Sequence, residues 1–160
     1  MKILIDAHMV GERETGNETY IVNLIRGLQN MGVSDEIVLA TAHVDALSEK
    51  VGRQYRMIPV SVSPWRRLGV DLPSIVRREK VDVLHVTYAG PLQTACAVVV
   101  TIHDVAYKMH PEWFSIRDRV VLGSGIAWTI RRAGKVITVS EHARREMEAV
   151  FPFAGPKIEV

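Results

Sequence analysis

Cysteine occurs once in the 160 residues, as Cys96, so no intrachain disulfide can form and a reducing compartment is the default expectation. A thiolate nucleophile needs a polar, electropositive surrounding. Cys96 instead precedes Ala97-Val98-Val99-Val100 and reads as a buried bystander. Charge of one sign is also lacking. Twenty basic residues against 18 acidic ones leave a formal net charge of +2, too little to imply a nucleic-acid partner. No stretch approaches the ~20 apolar residues of a membrane span. Asp6 interrupts the N-terminal apolar run too early for a signal-peptide core. These absences point to a soluble cytoplasmic protein, with peripheral contact at the inner face of a membrane left open.

The usual nucleotide and nucleophile fingerprints are missing as well. Gly11 and Gly16 imitate P-loop spacing, but Asn17 stands where the lysine must be and Glu18 where Ser or Thr belongs. No G-x-G-x-x-G and no G-x-S-x-G occurs, which removes a dinucleotide fingerprint and a hydrolase elbow. His103, Asp104 and His110 could be weighed as zinc ligands. They have no companion cysteine and fit no standard spacing, so no metal is expected.

What is present is the make-up of one ordinary domain: 48% hydrophobic, 24% charged and 6% aromatic. A chain of this length buries about 70% of the surface it exposes when unfolded, enough for a core without disulfides or structural metal. Short apolar runs alternate with helical patterns. Strands are predicted over 2–6, 36–41, 56–62, 81–86, 97–103 and 135–140, with another beginning at 157–160. Pro59 marks the third as irregular or an edge. Tyr20, Ile21, Leu24, Ile25 and Leu28 follow helical spacing, with Gly32 as a natural C-cap. A short helix runs through Leu47. Residues 65–80 read as helical in part, broken near Gly69 and Pro73. Further helices are expected over 116–132 and 141–150. The Val98-Val99-Val100 run suits a parallel strand covered on both faces. Alternation of this kind implies βαβ units, hence an α/β, Rossmann-like, doubly wound and mostly parallel sheet with helices on both faces.

Ligands of such sheets bind outside the carboxyl ends of the strands. The polar residues at those ends are Asp6 and His8 on the first strand, His85, Thr87 and Tyr88 on the fourth, His103 and Asp104 on the fifth, and Ser140 and Glu141 on the sixth. Each has a bland reading too. Ser140, for one, is a natural N-cap. The loop after the first strand, Gly11 to Glu18, is acidic, and Thr15-x-x-Glu18 fits a capping box. Two readings stay open: a cap alone, or a cap whose glycines also bring backbone close to a ligand.

Several segments, in order, resemble one family. They are Ile3-Leu4-Ile5-Asp6-Ala7 with Thr15-Gly16 and Tyr20-x-x-Asn23-Leu24, then 81–86, then Val100-Thr101-Ile102-His103-Asp104 with His110-Pro111, then 131–141. Together they resemble the N-terminal half of the retaining group 1 glycosyltransferases of family 4, which have GT-B architecture. The resemblance implies a transfer from a nucleotide sugar to a glycan or lipid-linked acceptor. It implies two facing Rossmann-like domains, with 1–160 the acceptor-side one and the nucleotide-sugar domain beyond it. It implies that Gly11, Thr15 and Gly16 lie at the donor phosphates and that His103 touches the transferred sugar. Asp6, His8, His85, Tyr88, Asp104, Ser140 and Glu141 would line the acceptor cleft. Relatives often carry Arg where this chain has His8, and a small or apolar residue where it has Asn17. The absence of any Asp-x-Asp agrees with metal-independent transfer.

Two other readings compete. A free-standing Rossmann-like binding module would need no second domain, although 156–160 looks like a strand cut off as it begins. A small nucleotide- or cofactor-dependent transferase lacks its fingerprint loops. Four basic pairs, Arg66-Arg67, Arg77-Arg78, Arg131-Arg132 and Arg144-Arg145, read as solvated helix faces, or as one surface for anionic lipid.

Overall fold

Each short apolar run becomes a strand and each segment of helical period a helix. The computed structural model describes residues 1–12, 15–32 and 34–160, Thr15 in its backbone only. In chain order the elements are β1 (Lys2–Asp6), α1 (Thr15–Asn30), β2 (Glu36–Thr41), α2 (Val44–Val51), β3 (Arg56–Pro59), α3 (Pro64–Arg66), a π-helical turn (Arg67–Asp71), α4 (Leu72–Glu79), β4 (Val83–Thr87) and β5 (Ala97–Thr101). They continue with α5 (Ala106–Met109), a 3-10 turn (Pro111–Trp113), α6 (Ile116–Arg132), β6 (Lys135–Ile137), α7 (Glu141–Val150), a 3-10 stretch (Pro152–Lys157) and β7 (Ile158–Glu159). The strands form one parallel sheet in the order β3-β2-β1-β4-β5-β6-β7. The chain winds outward from β1 to β3 and then returns to continue from β4 to β7, which is a Rossmann-like α/β fold.

Two compact units make up the chain: Met1–Leu84 with Gln93–Cys96, and His85–Leu92 with Ala97–Val160. In the first unit, Ile5, Ala7, Val10, Ile21, Val22, Ile25, Leu39, Leu47 and Val51 form one buried cluster. Leu4, Ile5 and Asp6 are buried in succession, as in a parallel strand covered on both faces. Gly32 follows α1 with φ +61, the left-handed conformation that closes a helix. The C-terminus of α2 is tied by Arg26, whose guanidinium donates to the Lys50 carbonyl at 2.6 and 3.2 Å.

Where the sequence predicts a break in 65–80, the chain stays helical. Gly69 lies inside the π-turn, and Pro73 follows it as the second residue of α4. The break is thus a widening of the helix rather than an interruption. Strand β3 ends earlier than expected, at the edge proline Pro59, and beyond it the Val60 N–H still bonds across to Thr41 at 3.0 Å.

In the second unit, α6 turns Ile126, Thr129 and Ile130 inward, and α7 turns Ala143 and Met147 inward. Strand β6 is shorter than predicted, since past Ile137 the Thr138 hydroxyl turns to the Ile102 carbonyl at 2.8 Å. The C-terminus of α6 leaves carbonyls without intrahelical partners. Lys157 covers them, its Nζ donating to the carbonyls of Ile130, Arg131 and Ala133 at 3.3, 2.9 and 2.9 Å. Among the described residues no helix is long and apolar enough to cross a membrane.

Lys157→Met keeps the alkyl stem and removes this charged donor. It should lower unfolding free energy by about 1–3 kcal/mol in urea titrations, with the far-ultraviolet circular dichroism of the native state unchanged.

Candidate active site

In the first unit, the carboxyl end of β1 holds a buried charge. Asp6 is fully buried. Its Oδ2 accepts from Arg67 Nε at 3.2 Å, and its Oδ1 accepts from the His8 backbone N–H at 3.3 Å. The His8 ring nitrogen Nδ1 lies 3.0 Å from the same Oδ1, close enough for charge attraction though without the alignment of a hydrogen bond. Burial pushes the Asp6 carboxyl up, but His8 and Arg67 outweigh it, so the group is held below its ordinary value of 3.8 and stays ionised.

The glycine loop that follows separates into two kinds of glycine. Gly11 has φ +95, and a Cβ there would meet the His43 side chain at 3.0 Å, so folding alone demands glycine. The Gly11 N–H donates to Glu18 at 3.4 Å, Glu18 pairs with Lys50 at 2.8 Å, and Glu12 meets His43 at 2.6 Å. The loop's described acidic groups are therefore occupied by partners. Gly16 is different: it is exposed near the start of α1, and a Cβ there would meet no atom of the described residues within 4 Å. Packing does not require a glycine at that position. The Thr15 half of the expected capping box lies outside the described side chains, and Glu18 serves Gly11 and Lys50.

In the second unit, β4, β5 and β6 end in polar residues of unequal kind. His85 is buried, with Nε2 2.9 Å from Thr101 Oγ1, and is thereby part of the sheet's internal bonding. Asp104 is exposed and accepts from the Ala106 N–H at 2.9 Å, the first N–H of α5. Ser140 accepts from the Ala143 N–H at 3.2 Å as the N-cap of α7, and Glu141 is exposed in its first turn.

Tyr88 and His103 stand apart. Tyr88 has φ +62, a left-handed conformation that costs a bulky residue about 1–2 kcal/mol. Its N–H donates to the Thr101 carbonyl at 2.9 Å, which anchors the strained residue. Its ring meets the His103 ring edge-on, with centroids 5.7 Å apart. Burial pushes the His103 imidazole down, partly offset by the Asp104 charge, so it is neutral at pH 7. Thr87 Oγ1 and Tyr107 Oη are buried with no hydrogen-bond partner among the described residues, and burial pushes the Tyr107 hydroxyl up to about 12. Of the zinc candidates, His110 is exposed and stacks on Trp113 at 4.1 Å. Cys96 is half-buried rather than buried, and burial pushes its thiol up, the reverse of an activated nucleophile.

The basic pairs also divide. Arg66 is 73% exposed, as a solvated face requires, but Arg67 is 5% exposed and belongs to Asp6. Arg78 pairs with Glu79, Arg144 with Glu148, and Arg131 and Arg132 lie over the rings of Phe153 and Trp128. Arg67 is the residue that sequence reasoning missed. The signal was Asp6 itself, because a carboxylate inside a buried run needs a cation.

Arg67→Met removes that cation and leaves a buried carboxylate. It should cost about 3–5 kcal/mol of stability at neutral pH. A depressed native carboxyl supplies stability above its ordinary 3.8 and loses it as pH falls through the native value. With Arg67 gone, one of the groups holding the carboxyl down is lost, its native value rises, and the onset of acid unfolding should move to higher pH, which urea titrations across pH will show.

No curated protein matches the chain. The family model described as Glycosyltransferase Family 4 matches residues 15–160, a stretch that contains α1, the glycine at its start and the ends of β4, β5 and β6. The chain belongs to glycosyltransferase family 4.

Proposed function

We propose that the chain is the acceptor-side domain of a retaining hexosyltransferase. It works from a nucleotide sugar, with a glycan or lipid-linked sugar as acceptor, in the cytoplasm or at the inner face of its membrane. A second, nucleotide-binding domain completes the enzyme, and no metal takes part. The observation that carries this reading is the pairing of a strained Tyr88 with a neutral His103 at the carboxyl ends of β4 and β5. Strain of that kind persists only where the surrounding structure holds it, and it concentrates at functional sites.

The chemistry asks little of the protein beyond placement and charge. Retention by front-face attack lets the departing diphosphate take the acceptor proton, while protein dipoles stabilise the charge that develops. A neutral imidazole at His103 can bond the hydroxyls of the transferred sugar without repelling an oxocarbenium-like centre. Gly16 supports a second element of the reading. A glycine that packing does not require leaves space for a phosphate to approach the first N–H groups of α1. Asp104, Ser140, Glu141, His85 and Tyr88 would shape the acceptor side, and Gly11 and Thr15 the loop beside the phosphates.

The test is a screen of UDP-, GDP- and ADP-sugars against methyl glycosides and lipid-linked sugars, with the protein of the complete natural reading frame, scored by diphosphate release. Wild type should transfer, with retention seen by NMR of the product. His103→Ala should lose most turnover while staying folded. Gly16→Ala should keep or raise stability, since Ala is the better helix former by up to about 1 kcal/mol, yet lose transfer. Gly11→Ala should instead lose stability. Near wild-type transfer in both His103→Ala and Gly16→Ala would remove the reading.

A further inference from the structure

A strand end needs a polar residue, but the end of β1 has more organisation than that. The Asp6 carboxylate has both oxygens bonded, Oδ2 by Arg67 and Oδ1 by the His8 backbone N–H, with the His8 ring nitrogen Nδ1 3.0 Å from Oδ1. Arg67 opens the π-helical turn Arg67–Asp71. Such turns are rare inside α-helical segments and recur at functional sites. Arg67 is also buried, so this cation is committed to one carboxylate and cannot be discharged by deprotonation. A folding role alone would be served as well by an apolar residue in place of Asp6.

The consequence falls on His8. Of the two imidazole tautomers, the carboxylate oxygen 3.0 Å from Nδ1 favours the one with its proton on that nearer nitrogen. Nε2 then holds a lone pair and points away from the carboxylate, on a side chain that is still 17% exposed. We propose that Arg67 and Asp6 form a positioning unit that fixes His8 as a hydrogen-bond acceptor for a hydroxyl of a neutral, polyhydroxylated acceptor molecule. This rests on the acceptor-side reading above and deepens it. Arg67 and Asp6 act through His8, and only His8 touches the hydroxyl. The arrangement selects a donor O–H over a group that can only accept, such as a carboxylate or phosphate oxygen.

Long-range proton–nitrogen NMR on protein labelled with nitrogen-15 histidine reads the tautomer without any activity. At neutral pH His8 should show a protonated Nδ1 and a bare Nε2, and Asp6→Asn should abolish that preference. A protonated Nε2 in wild type overturns the proposal, whatever the protein catalyses. The second arm uses the methyl glycoside that gives the highest rate in the screen. His8→Phe should raise its KM about three- to tenfold with the donor KM unchanged, the loss expected for one hydrogen bond. His8→Gln, whose side-chain oxygen can stand near the Nε2 position, should recover most of that loss. An unchanged acceptor KM, or an equal rise in both KM values, overturns the proposal. Should His8→Phe fail to fold, the tautomer and His8→Gln decide. If wild type transfers nothing, the glycosyltransferase reading fails, and the tautomer still judges the role of His8.

Discussion

A fully buried carboxylate at the end of the first strand is the constraint around which the first unit is arranged. Taking Asp6 out of water is costly unless a charge meets it. Arg67 meets it from 61 residues away. To deliver a guanidinium there, the helical segment after β3 opens into a π-turn and carries Gly69 and Pro73 without breaking. The same carboxylate gathers the His8 backbone and ring. One ion pair therefore links the first strand, a widened helix and an imidazole.

The polar residues at the strand ends sort by whether folding already explains them. His85 bonds Thr101 within the sheet, Asp104 accepts the first N–H of α5, Ser140 caps α7, and Gly11 is forced by φ +95 and His43. Each of these has a structural task. Tyr88 stands in a left-handed conformation against His103, and Gly16 has open space among the described residues where a side chain would sit. The strain at Tyr88 and a glycine that packing does not require carry the functional reading.

Much of this was legible in the residues. The β-branched run Val98-Val99-Val100 and the alternation of strands and helices specify a parallel α/β sheet, and the bounds of α6 and α7 follow directly from their period. Strand ends were less legible. Pro59 and the Thr138 hydroxyl stop β3 and β6 short, because a proline withholds a donor and a side chain turns to another backbone carbonyl. The fate of Arg67 was hidden because its local pattern, an arginine pair at a helix start, matches that of the solvated Arg66. Only the long-range demand of Asp6 distinguishes the two. The strain at Tyr88 left no mark in the sequence, since nothing beside a tyrosine signals positive φ.

The ionised state of Asp6 is the claim on which both the fold of the first unit and the role of His8 depend. Carbon-13 NMR of its side-chain carboxyl, followed through an acid titration, measures that state directly. A held ion pair predicts an ionised carboxylate at neutral pH that titrates below the ordinary 3.8 of an aspartate. A carboxyl that titrates above that value, with desolvation outweighing Arg67 and His8, would contradict it.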